Sequence, residues 1–123
     1  MILCDTNIFI EVYKNNSTII SVLEKIGQER IAASQVTSGE LVFGALNKRE
    51  LAAIHSDLQK ISIIPISTEI SQLAFDLMLK FSLSHHLALP DALIAATAIS
   101  FNLELYTLNL KDFKFIPGIN LYK

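Results

Sequence analysis

The sequence predicts an α/β fold with a central parallel sheet and helices on both faces. Two observations carry this expectation. Short apolar runs of strand length recur along the chain (MILC, RIAAS, ISIIPI and LELYTL), and longer segments between them repeat their apolar residues at helical spacing. Strands separated by helices of about 10 to 15 residues pair in parallel, because a helix is what returns the chain to the same end of the sheet. With 123 residues, 51% of them hydrophobic, the chain is long enough for one ordinary core, and 1–123 reads as a single domain.

The elements follow in order. MILC is a short central strand that ends at Asp5. From Thr6 to Lys14, Ile8, Phe9, Val12 and Tyr13 fall at helical spacing, and the polar Asn15, Asn16 and Ser17 interrupt them. A second helix runs from about Thr18 to Gly27, with Ile19, Val22, Leu23 and Ile26 on one face and the glycine as its stop. RIAAS is the next strand, and Thr37 begins the helix bearing Leu41, Val42, Ala45 and Leu46. Glu50 to Lys60 forms another amphipathic stretch. ISIIPI is a strand that Pro65 pushes to an edge or an end, since proline has no N–H for the ladder. Ser67 or Thr68 caps a long helix with the stripe Ile70, Leu73, Ala74, Leu77 and Met78. SLSHHLALP is a loop or a short helical turn. Pro90 suits the first turn of DALIAATAIS, a helix apolar on nearly every side and therefore placed in the core. LELYTL is the last clear strand, and FIPGINLY adds a short edge piece.

Composition excludes several classes. Charged residues make up 18% and the net charge is -2, which fits neither a disordered tail nor a polybasic arm. The lone cysteine, Cys4, lies in an apolar run and has no partner for an internal disulfide, so a cytoplasmic protein is expected. MILCDTN has no signal-peptide pattern, and no apolar window approaches the ~18 residues of a membrane span.

Four acids punctuate the apolar chain: Asp5, Glu40, Asp91 and Asp112. In an open α/β sheet the binding crevice lies beyond the carboxyl ends of the strands. Asp5 follows the first strand, Glu40 is placed in the first turn of the helix after RIAAS, Asp91 opens the helix before the last strand, and Asn109 and Asp112 follow that strand. All can converge on one edge. Crowded carboxylates raise one another's pKa and need protons, bases or a cation, yet only Lys111 lies beside any of them in sequence. Hard oxygen donors without a cysteine set point to Mg²⁺, or Mn²⁺ in its place, rather than Zn²⁺. Such ions activate water against a phosphodiester, and two of them about 4 Å apart divide the work between attacking and leaving oxygens.

Each acid also has a purely structural explanation. Thr37-Ser38-Gly39-Glu40 matches a capping box, Asp91 favours a helix dipole, Asp5 suits an Asx-turn or cap, and Asp112 caps a turn. On that account the chain is a non-catalytic α/β module that binds a partner protein. A receiver-like phosphoryl acceptor is a further alternative, but no lysine is placed to pair with the phosphate.

The segments LCDTNIFI, SGELVFGA, LPDALIAATAISFNLELYTLNLKDF and IPGINLY together resemble a PIN domain, and specifically the VapC-type ribonuclease toxins of bacterial toxin–antitoxin pairs. The resemblance spans nearly the whole chain. It implies a PIN-like three-layer α/β/α fold and a metal site made by Asp5, Glu40 and Asp91. The family's fourth acidic position falls on Asn109, where members carry aspartate or asparagine, and Asp112 acts directly or through water. Thr107 is expected to orient an acid or a water, and Asn7 to help hold the site. The resemblance also implies Mg²⁺-dependent cleavage of RNA to a 5′-phosphate and a 3′-hydroxyl, a homodimer, and neutralisation by a cognate antitoxin that covers the groove. Lys14, Lys48, Arg49, His85 and His86 are candidate RNA contacts, though each also suits a solvated rim or surface loop. Neither histidine has the companions a zinc site needs.

Overall fold

The structure, a computed structural model, describes residues 1–123. Strand β1 (Ile2–Cys4) leads into α1 (Thr6–Tyr13) and α2 (Ser17–Ile26), and β2 (Ile31–Ser34) into α3 (Gln35–Phe43) and α4 (Lys48–Leu58). Then come β3 (Ser62–Ile64), α5 (Thr68–His85), α6 (Leu89–Ser100), β4 (Glu104–Tyr106) and β5 (Asn120–Leu121), with single 3₁₀ turns at Gln28–Arg30 and Leu110–Asp112. The sheet order is β3-β2-β1-β4-β5, and every pairing is parallel. No helix is long and apolar enough to cross a membrane.

Alternation along the central strands separates two cores. Leu3, Ala32 and Leu105 point into the larger one, beneath α5 and α6, with Ile70, Ala74, Leu77, Ile94 and Phe113. Ile2, Cys4 and Ile31 point the other way, against Ile8 of α1 and Ile19 and Ile26 of α2. A third, smaller cluster of Leu41, Ile54 and Leu58 joins α3 to α4. The result is the expected three-layer arrangement, with β1 buried on both faces as a central parallel strand must be.

Several local expectations hold for the reasons given. Pro65 follows β3, which is an edge strand. Pro90 occupies the first turn of α6, and β5 is the short edge piece. Gly27 ends α2 with φ of 91°, a conformation that L side chains rarely adopt.

Others shift. Helix α2 starts at Ser17 because Asn16 caps it, accepting from Ile19 N–H at 3.3 Å. Helix α3 begins at Gln35 rather than Thr37, because Ser34 at the end of β2 already accepts from Val36 N–H at 3.1 Å. Glu40 therefore lies in the second turn, and Ala45 and Leu46 fall beyond the helix. Asn47 accepts from Glu50 N–H, which opens α4 at Lys48, and the helix ends at Leu58 with Gln59 as its C-cap. Ser84 and His85 form the last turn of α5, the helical alternative for that segment, and His86 closes that helix at φ of 55°.

Candidate functional site

The strand order reverses at β1: β2 and β3 lie to one side, β4 and β5 to the other. A crevice opens at such a reversal, beyond the carboxyl ends of the strands. Asp5 follows β1, Thr107 follows β4, α3 leaves β2, and α6 presents its first turn before the chain enters β4.

Asp5 is 5% exposed and held on both oxygens. Thr6 N–H donates to Oδ1 at 2.7 Å, and the Thr107 hydroxyl donates to Oδ2 at 2.8 Å. Thr107 Oγ1 in turn accepts from Asn109 N–H at 3.1 Å and from the Asn7 side-chain amide at 3.5 Å. Asn7 Oδ1 accepts from Leu108 N–H at 3.3 Å. Thr107 and Asn7 thus brace Asp5 against the turn after β4. The cap reading of Asp5 holds in part, since the same carboxylate begins α1.

Glu40 overturns the capping-box reading. Its Oε1 accepts from the Thr6 hydroxyl at 2.7 Å, across to α1 and away from its own helix amides. Thr37, the other half of the supposed box, is fully buried and bonds Thr6 Oγ1 at 2.9 Å. Thr6 was missed as a site residue, although it directly follows Asp5. The spacing Thr37-x-x-Glu40 was visible but fits a shared helix face as well as a cap.

The electrostatics tie the four acids together. Burial raises the Asp91 carboxyl to about 6, reinforced by the charges of Asp5, Asp112 and Glu40. Burial likewise raises Asp5; the bonds from Thr107 and Thr6 oppose this, while Glu40 and Asp112 add to it. The two ion pairs of the molecule, Lys14–Glu11 and Lys60–Asp57, involve none of these acids. The Cys4 thiol, pushed up to about 12 by burial and then by Asp5, stays protonated and offers neither a ligand nor a nucleophile.

The donor set suits a hard cation: carboxylate and amide oxygens, held by hydroxyls and amides, with no thiolate among them. No three His, Cys, Asp or Glu side chains are gathered closely enough to form a ready cage. Asn109 and Asp112 are both exposed, in and beside the Leu110–Asp112 turn.

The candidate RNA contacts are scattered. Lys14 and Glu40 line one groove, a cavity of about 640 Å³, together with Ile10, Tyr13, Leu46 and Ile54. Lys48 and Arg49 are exposed at the start of α4. His85 stacks on Phe115 at 4.0 Å between ring centroids and pairs with the Ser84 hydroxyl, while His86 is the left-handed cap of α5. These contacts give His85 a structural role.

Comparison with known proteins points the same way. A model of the PIN domain family matches residues 2–117. Ribonuclease VapC19 of Mycobacterium tuberculosis is 29% identical over 122 residues, spanning 97% of this chain and 97% of that protein. Among solved structures, a toxin–antitoxin complex from Klebsiella pneumoniae superposes with a TM-score of 0.83 and 34% identity, over 97% of this chain and 95% of that one. A DNA-bound VapBC from Salmonella typhimurium superposes with a TM-score of 0.86 and 25% identity, over 98% and 96%.

Proposed function

Because the chain belongs to the PIN domain family and is related to the VapC-type toxins of toxin–antitoxin systems, we propose that it is a Mg²⁺-dependent endoribonuclease toxin, active in the cytoplasm and neutralised by a cognate antitoxin. The observation that supports this best is the mutual electrostatic influence of Asp5, Glu40, Asp91 and Asp112, none of which is ion-paired with a basic side chain. Helix capping alone leaves that repulsion unexplained, and Glu40 caps nothing.

Asp5, Glu40 and Asp91 are the residues to hold the cation. When bound, Mg²⁺ or Mn²⁺ supplies an activated water and offsets charge on the phosphodiester. The chain's own part is orientation. Asp5 has one oxygen fixed by an α1 amide and the other by Thr107, so its carboxylate plane cannot turn freely. Glu40 has Oε1 fixed by Thr6, which leaves Oε2 without a protein donor. Asp91 keeps a proton to higher pH than an ordinary aspartate and releases it when positive charge arrives. Asn109 and Asp112 lie exposed at the turn after β4, and Lys14 offers the groove beside Glu40 a positive charge for RNA phosphate.

The same groove suits the antitoxin, because its wall joins apolar Ile10, Leu46 and Ile54 to the acid Glu40, and the nearby Phe43 side chain is exposed. A second copy of the chain is the proposed occupant of the outer face of α5, where Phe75, Leu79 and Leu83 form an exposed apolar row at helical spacing.

The test is cleavage of a mixed cellular RNA pool by antitoxin-free protein with Mg²⁺ or Mn²⁺, beside an EDTA control and Asp5→Asn. Discrete cuts that vanish in both controls are expected. A folded, metal-supplied protein that leaves the whole pool intact would return the chain to the partner-binding reading.

A further inference from the structure

Thr6 touches two of the acids, Asp5 at the end of β1 and Glu40 on α3. Its amide donates to Asp5 Oδ1 at 2.7 Å and its hydroxyl to Glu40 Oε1 at 2.7 Å. A threonine hydroxyl has one proton to give, and an ionised carboxylate only accepts. The Thr6 proton is therefore committed to Glu40, and in the 2.9 Å contact between the two hydroxyls Thr37 must be the donor.

Thr97, well inside α6, returns its hydroxyl to Leu93 O at 2.7 Å. Thr37 lies in the first turn of α3, where the residue four back, Ala33, belongs to β2 and offers no helical carbonyl. Thr37, fully buried in α3, bonds instead to a side chain of another helix. We propose that Thr37 and Thr6 form a one-way hydroxyl relay, Thr37 to Thr6 to Glu40, which sets the Glu40 carboxylate relative to Asp5; its purpose rests on the nuclease reading above. Both threonines are positioning residues, since they act through the acids.

The physical gain is preorganisation. A glutamate exposed on a helix has several rotamers, and binding has to freeze them. A charge-assisted bond from Thr6, polarised by a second hydroxyl behind it, removes that freedom beforehand. Because the Thr6 backbone is itself bonded to Asp5, the two acids are held by one residue.

Metal-free and metal-loaded measurements separate this inference from the nuclease reading. In EDTA, the isotope-labelled carboxyl resonance of Glu40 should shift, and its side chain begin to average over rotamers, in Thr6→Val and Thr37→Val, with Thr37→Ser close to wild type. With Mn²⁺ followed by titration calorimetry, Thr6→Val should weaken binding about tenfold, and Thr37→Val by a smaller factor in the same direction. A Glu40 resonance unchanged in Thr37→Val overturns the relay, whatever the protein does to RNA. Thr37→Val that melts lower yet binds Mn²⁺ as wild type does would reduce Thr37 to a packing residue and overturn it too. Wild-type protein that neither binds Mn²⁺ nor cuts RNA would overturn the nuclease reading and the relay's purpose with it, an outcome the Glu40 resonance tells apart from loss of the bond.

Discussion

At Asp91 the group proposed to hold a cation carries a cost for the metal-free fold. Its carboxyl is raised from 3.8 to about 6, first by burial and then by Asp5, Asp112 and Glu40. The folded state thus holds a proton that the unfolded chain has released, so this contribution to stability is complete below about pH 4 and is lost as pH rises through about 6. Asp5 is raised as well and acts in the same direction. Metal-free protein should therefore melt at progressively lower temperature between about pH 4 and pH 7 from this cause, and Asp91→Asn should flatten that dependence. At pH 7 the variant should be more stable by about 1 kcal/mol, well below the full shift because Asp91 is only half-buried and solvent screens the repulsion. Thermal melts in EDTA across that range are the check; a variant that melts below wild type at pH 7 would contradict the repulsion argument. The same substitution should abolish RNA cleavage, separating what the acid does for the fold from what it does for the reaction.

At the scale of elements, caps decide where helices begin, and a helix that starts in a different place presents different residues. Ser34 starts α3 directly at the end of β2, which turns Thr37 inward and carries Glu40 to Thr6. Helix α2 ends at Gly27, where φ is 91° and an added Cβ would meet Glu29 Oε1 at 2.9 Å. The glutamate tip can swing away, so the lasting cost of Gly27→Ala is backbone strain of about 1–3 kcal/mol. Urea denaturation should show that loss. Cleavage should persist, because Gly27 precedes β2 at the end of the sheet opposite the acids. Pro65 after β3 and Pro90 in α6 behaved as their lack of an N–H requires, and both boundaries were legible beforehand.

Across the whole molecule, the sheet arranges chemistry at one edge and leaves an apolar face on α5. Ile70, Ala74 and Leu77 of that helix are buried in the larger core, while Phe75, Leu79 and Leu83 on its outer side are 57%, 70% and 94% exposed. If a second copy covers this row, wild-type protein runs as a dimer in light scattering, and Leu79→Glu combined with Leu83→Lys runs as a folded monomer. A wild-type monomer at micromolar concentration would remove the homodimer from the proposal.

Local pattern along the chain sets the alternation of strands and helices, and with it a parallel sheet whose carboxyl edge collects Asp5, Asp91 and the turn after β4. Those features follow from periodicity, proline and glycine, which act over a few residues and can be read locally. What Thr37 and Glu40 do depends on contacts between distant parts of the chain. Their common spacing serves a helix cap or a shared face equally well, and the choice turned on Ser34 having capped α3 already. The bond that resulted joins Glu40 to a residue 34 positions away. It depends on β1 and β2 lying side by side so that α1 and α3 meet, and no local pattern specifies that contact.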